Sequence, residues 1–186
     1  MMKNPAKFLL LVSLCTVAVS TYAGELKSTL NSVSFVAKTN LPYITVKGEL
    51  KSPQPAQVQG SAVKIEKWSV EFSPEELSTH MSVRDKHMIE RIFTMNDKQV
   101  APIKFETTAP FAPHSGEAKI PGKLTLRGVS AEFNPTCRTT RSGEKLEAHC
   151  DGTVDLSSHS IPAPEQMGAK VNSVIQIQLV TEVTGL

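Results

Sequence analysis

Aromatic side chains are scarce, at 5% of 186 residues, so the interior has to be built mainly from Val, Ile, Ala and Thr. An interior of such small side chains need not fill itself. Catalytic signatures are missing as well: the chain has no G-x-S-x-G, H-E-x-x-H or G-x-G-x-x-G and no phosphate-binding glycine loop. Neither sign of charge dominates. The formal net charge of +2 comes from Lys3 and Lys7, and the remaining 18 basic and 18 acidic groups cancel. With no basic stripe or arginine-rich run, the electrostatic footprint of a nucleic-acid binder is absent.

What the chain does carry begins with an export signal. Lys3 and Lys7 precede the apolar run Phe8 to Val19, and Ser20-Thr21-Tyr22-Ala23 supplies small residues for cleavage after Ala23. The run is too short to span a bilayer comfortably. Cys15 follows Leu14 where lipid attachment wants a small residue. We therefore expect residues 1–23 to be removed and 24–186 to form one domain, periplasmic or secreted, large enough to bury a core unaided.

In that oxidising space the two remaining thiols, Cys137 and Cys150, are expected to pair. The bridge closes a loop of 14 residues, worth about 3 kcal/mol in the chain-entropy account. The turn-like tetrad Arg141-Ser142-Gly143-Glu144 lies between them, so the cysteines should face each other near the open end of a hairpin. The spacing is not C-x-x-C, which favours a staple over redox chemistry.

Apolar residues mostly recur at every second position, the mark of strands with one buried face. Val33, Phe35 and Ala37 alternate with Ser34 and Val36, and Ile44, Val46, Gly48 and Leu50 resume the pattern until Pro53 and Pro55 end it. Val63 and Ile65 fall out of phase with Trp68, Val70 and Phe72, which predicts a bulge near Glu66 and Lys67. Ile103 and Phe105 precede a proline-punctuated loop through Pro110 and Pro113 to Gly116. Leu124 and Leu126 lead through Arg127-Gly128 to Val129, Ala131 and Phe133, a hairpin signal. Leu146 to Val154 and Ile175, Ile177 and Leu179 complete about eight strands. Such a set favours an all-β fold, an antiparallel closed barrel or a sandwich.

One segment breaks the strand pattern. Leu77 to Phe93 reads LSTHMSVRDKHMIERIF, with Met81, Met88, Ile89 and Ile92 at helical spacing beside Arg84, Asp85 and His87. Ser82 as cap and Asp85 three residues later predict a helix over 83–93. A competing cap signal at Ser73-Pro74-Glu76 reads better as a turn, because Ser78 and Thr79 are weak helix formers.

These residues resemble the YceI-like family, whose members carry L-x-T-x-x-x-x-R-D-x-H-[LM]; here Leu77-Ser78-Thr79 is followed by Arg84-Asp85-Lys86-His87-Met88. Ala101-Pro102-Ile103-Lys104-Phe105, Gly122 to Val129 and Gly152-Thr153-Val154-Asp155 are similar too, in the same order. The resemblance spans essentially the whole mature chain. It implies an eight-stranded lipocalin-like barrel with the helix near one end, enclosing an apolar tunnel for a polyisoprenoid, an isoprenoid quinone or another long-chain lipid. That is a carrier or sequestering role without catalysis or cofactor. Asn31-Ser32 and Thr39-Asn40 stand where the family usually has histidines, so head-group contacts are expected to differ. The cysteine pair is not a general family feature.

On that reading the ligand site comprises Phe35, Val46, Trp68, Val70 and Phe72 from the early strands and Phe105, Leu126, Phe133 and Ile177 from the later ones. The helical segment adds Met81, Arg84, His87, Met88 and Ile92. Trp68 and Phe72 read equally as ordinary core, and the soft side chains of Met81, Met88 and Met95 suit either a lipid chain or gap-filling. Arg84 either meets a polar head group or pairs with Asp85 or another carboxylate. His87 either touches a quinone oxygen or packs against a backbone carbonyl. A metal on His80 and His87 needs an early helix start and lacks a third ligand at recognisable spacing. His114, His149 and His159 are expected in solvent, and the loop Ser157 to Lys170 is long enough for a lid or an ordinary surface loop.

Two further readings remain open. One is a packed barrel docking an envelope partner, and the other an enzyme using His87 with Asp85. Transient membrane contact and a monomeric or homodimeric state are compatible with each.

Overall fold

The computed structural model describes residues 25–95, 98–166 and 168–186, and the export signal with its cleavage point after Ala23 lies outside them. The main antiparallel sheet contains β1 (Lys27–Lys38), β2 (Thr45–Leu50), β3 (Gln54–Ser61), β4 (Lys64–Phe72), β5 (Leu77–Ser78), β6 (Ile103–Thr107), β7 (Gly116–Lys119), β8 (Gly122–Leu126), β9 (Val129–Phe133), β10 (Thr136–Ser142) and β11 (Lys145–Asp155). After a separate ribbon of β12 (Glu165–Gln166) and β13 (Ala169–Lys170), β14 (Val174–Thr184) returns to it. The hydrogen-bonded path runs β7-β10-β11-β14-β1-β3-β4-β6-β8-β9, with β2 branching from β1 to β5.

This is an all-β architecture, but not the closed eight-stranded barrel expected. Ten strands follow one curled path that makes a half-barrel, and among the described residues no ladder joins its edge strands β7 and β9. The seam beside β9 is closed by side chains instead. His159 Nδ1 donates to the Val129 carbonyl across 2.8 Å, and the Phe133 ring lies against Gly152 of β11. His159 is only 2% exposed, which corrects its reading as a solvated histidine.

Of the strands that escaped the sequence reading, two did so for definable reasons. β3 begins beside Pro55, which occupies a strand start where a missing N–H is tolerated, and its sequence QPAQVQGS offers little hydrophobic contrast. β7 is an exposed edge strand of four residues, GEAK, with no buried side chain to betray it. The expected bulge is present: Gln59 pairs with Lys67 and Gly60 with Ile65, leaving Glu66 as the extra residue. The β8–β9 hairpin turns through Arg127 and Gly128, both at positive φ, the requirement of a tight two-residue turn.

β1 changes partner along its length, and this opens one end of the molecule. Ser28 to Leu30 pair with β3, whereas Ser34 to Lys38 pair with β2, so the sheet forks toward the C-terminal end of β1. β2 continues to β5, and the helical segment follows at once. That segment is α1 (Ser82–Met88) running into a π-turn over Ile89–Phe93, close to the expected 83–93. Pro74–Glu76 forms its own short 3-10 turn capped by Ser73, so both cap-like signals mark separate structures.

Candidate functional site

The fork leads into a cavity of about 540 Å3. One water molecule occupies about 30 Å3 of liquid, so this is no packing defect, and it falls inside the range of about 300–1,000 Å3 usual for small-molecule sites. The few rings in the sequence do not fill it: Phe35, Trp68, Phe72, Phe105 and Phe133 stand in its wall with Val, Ile and Leu and leave the axis of the curled sheet empty. The interior is therefore not packed solid.

Position follows directly from strand alternation. Phe35 and Val46 face inward from β1 and β2, Trp68, Val70 and Phe72 from β4, Phe105 from β6, Leu126 and Phe133 from β8 and β9, and Ile177 from β14; all line the one cavity. Met81, Arg84, His87, Met88 and Ile92 line it from the helical segment. Met95 does not, and its sulfur lies beside Gly128 instead. The chain brings these residues together from both ends of the sequence.

Polar side chains collect at the forked end. Arg84, His87 and Arg91 share one side of the helical segment, and Thr45, Thr79 and Glu165 complete the polar lining there. Arg84 makes no ion pair among the described residues, and its guanidinium leans on the Met81 sulfur. The expected alternative, a pair with Asp85, fails because that carboxylate is already engaged. Asp85 Oδ1 accepts from the Thr79 backbone N–H at 2.7 Å and from the Thr79 hydroxyl at 2.6 Å, and Oδ2 accepts from the Ser78 hydroxyl at 3.1 Å.

Burial pushes the Asp85 carboxyl up, but these hydrogen bonds and the nearby Lys51 charge outweigh it and hold it below the ordinary value. The same bonds overturn the expected capping box. Met81 occupies the N-cap without a side-chain cap bond, and Asp85 ties α1 to the end of β5 rather than to Ser82. They also break the supposed His87–Asp85 dyad.

His87 lines the cavity and makes no hydrogen bond among the described residues, so the bland reading of a ring donating to a carbonyl does not describe it. His80 precedes the helix and pairs with Glu49 across 3.1 Å, away from any shared ligand set with His87. Among the described residues no group of three or more His, Cys, Asp or Glu is placed to hold a metal.

The mouth contains residues the sequence reading missed. Leu41 and Ile44 line it from the β1–β2 turn, and Pro164, Glu165, Ala169 and Val171 from the loop carrying β12 and β13. That loop is fastened on two sides. Arg91 Nη1 donates to the Glu165 carbonyl at 2.8 Å, and the Lys170 N–H donates to Asn40 Oδ1 at 2.8 Å. Arg91 was legible in principle, since it lies seven residues beyond Arg84 on the same helical face. The loop contacts were not, because nothing local couples Asn40 to Lys170.

Cys137 and Cys150 form a disulfide with their Cα atoms 3.9 Å apart, directly opposite in the β10–β11 register. The turn at Gly143 and Glu144 lies at the other end of that hairpin, as expected. The bridge is buried with Ile120 and Ala148 in a small core of its own.

A half-barrel of antiparallel strands around an apolar cavity, mouthed by a short helix, defines the class of protein. The chain belongs to the YceI-like family, whose YceI-like domain model matches residues 25–183. Its fold is similar to that of BcnA from Burkholderia cenocepacia, at 18% identity and a TM-score of 0.64, covering 84% of this chain and 95% of that one. A polyisoprenoid binding domain from Saccharophagus degradans, implicated in plant cell wall breakdown, is similar at 11% identity and a TM-score of 0.63, covering 86% and 99%. The YCEI protein of Campylobacter jejuni gives 17% and 0.55, covering 75% and 86%. No curated protein matches the chain.

Proposed function

We propose that this protein is a non-catalytic carrier that sequesters one long-chain apolar lipid, a polyisoprenoid or an isoprenoid quinone, in the periplasm or outside the cell. The observation that carries the reading is the cavity itself: about 540 Å3 with an apolar wall, and its charged side chains confined to the mouth. That distribution suits a molecule with a long tail and a small polar head. Each methylene moved from water into the wall contributes about 0.8 kcal/mol, offset in part by ordering of a flexible chain. The name given to the Saccharophagus domain supports the same class of ligand.

The mouth also suits exchange with a membrane. Leu41, Ile44, Met81 and Val83 line it and are themselves exposed, and Tyr43, between the first two, is 97% exposed. A lipid entering there slides along apolar side chains instead of crossing open water. The packed-barrel alternative loses its premise once the interior is hollow.

Native mass spectrometry of protein taken from its own cell envelope tests the reading. Recovery with a bound lipid, or uptake of added polyprenol or quinone, is the expected result. Protein that is repeatedly empty and takes up neither would falsify it.

A further inference from the structure

Below the main cavity lies a second apolar chamber of about 50 Å3, walled in part by Ile120, Ala148 and the Cys137–Cys150 bridge. Trp68, Phe105 and Leu179 line both spaces and so stand between them. Sheet register accounts for their level. Leu179 of β14 pairs with Cys150 of β11, and Phe105 lies two residues deeper along β6 than Ile103. The Trp68 indole reaches Ser28 at the start of β1, the end of that strand away from the fork.

The floor is continuous and stiff. Trp68 and Phe105 have ring centroids 5.8 Å apart at a 50° tilt, and Phe105 meets Phe133 edge-on at 5.8 Å. The indole N–H donates to Ser28 Oγ at 2.7 Å, and that hydroxyl donates to the Glu182 carbonyl at 2.7 Å, so the buried polar pair is fully satisfied. The Phe105 ring lies against Gly122, where an added Cβ would come within 2.3 Å of it. A flexible tail entering at the helical end thus meets a rigid stop with empty space behind it.

We infer that this partition is a chain-length gauge: Trp68, Phe105 and Leu179 set the longest tail that the cavity houses in full, by closing off the chamber behind them. The inference rests on the lipid-binding reading above. Affinity then rises with tail length until the tail touches the floor and falls beyond it, because the excess tail must buckle inside or push methylenes back into water at the mouth.

The test is native mass spectrometry of the full chain after incubation with an equal mixture of polyprenols of graded length. Wild type, Phe105→Leu, Leu179→Ala and the double variant Phe105→Leu/Ala148→Leu are compared. Either single change opens the partition and should move the preferred length up to the next longer polyprenol of the series, because the chamber of about 50 Å3 is joined to the volume that the shortened side chain vacates. In the double variant Ala148→Leu refills the annexed chamber, and the preference should return to that of wild type. Leu179→Ala carries the test if Phe105→Leu loses its fold by circular dichroism. An unshifted preference in a folded single variant overturns the gauge, while uptake by wild type leaves the lipid reading standing. A wild-type protein that takes up no polyprenol of any length overturns both.

Discussion

Asp85 decides where the helix sits, and it does so with hydrogen bonds that spacing alone did not predict. Its distance from Ser82 fits a capping box, yet the Thr79 N–H and the Thr79 and Ser78 hydroxyls offer charge-assisted bonds to a strand end that must be held anyway. The carboxyl is held below its ordinary value, so its contribution to stability is present above the unfolded pKa and is lost as pH falls through the folded one. With an unfolded value of about 3.9, that contribution is complete by about one unit higher. Asp85→Ala should therefore cost about 1.5–3 kcal/mol at pH 7, the usual worth of hydrogen bonds to a charged group, and less at pH 3. Urea unfolding of both proteins at the two pH values checks this, and an equal cost at both would remove charge from the explanation. Gly122 shows a different limit of residue-level reading. Strand alternation places it on the inner face, but only the Phe105 ring lying on it reveals why a side chain is excluded.

Among the elements, the β10–β11 hairpin was the most legible, because a two-cysteine count and a turn tetrad both point to one register. The structure sets Cys137 opposite Cys150 at the hairpin's open end. Replacing both by alanine should lower stability by about 2–4 kcal/mol, as judged by chemical denaturation under oxidising conditions. A smaller loss would mean that the β11–β14 and β7–β10 ladders already hold the hairpin closed. The helical segment was legible in position but not in character. Its caps and apolar spacing locate residues 83–93, whereas the change to a π-turn at Ile89–Phe93, which buries Phe93 while Arg84, His87 and Arg91 line the mouth, has no local signal. The ribbon of β12 and β13 was illegible, since its bonds to Arg91 and Asn40 reach 74 and 130 residues back along the chain.

For the whole molecule, hollowness separates folding from ligand capture. Ile177 lines the cavity from β14 without being fully buried by protein. Ile177→Trp should fill part of that space, keep or raise the melting temperature, with a gain of up to about 2 kcal/mol, and weaken polyprenol uptake. Calorimetry and native mass spectrometry on the same sample check both halves, and uptake unchanged from wild type would move the site elsewhere. By itself the sequence determined the all-β class, the inward face of most strands, the cysteine pair and the family, because alternation, thiol count and local motifs are carried by neighbouring residues. Only the tertiary structure decided that ten strands curl without closing, that β1 forks between two partners, and that three side chains from distant strands divide a large cavity from a small one. Those features depend on ladders and contacts between segments far apart in the chain, whose geometry no local spacing encodes.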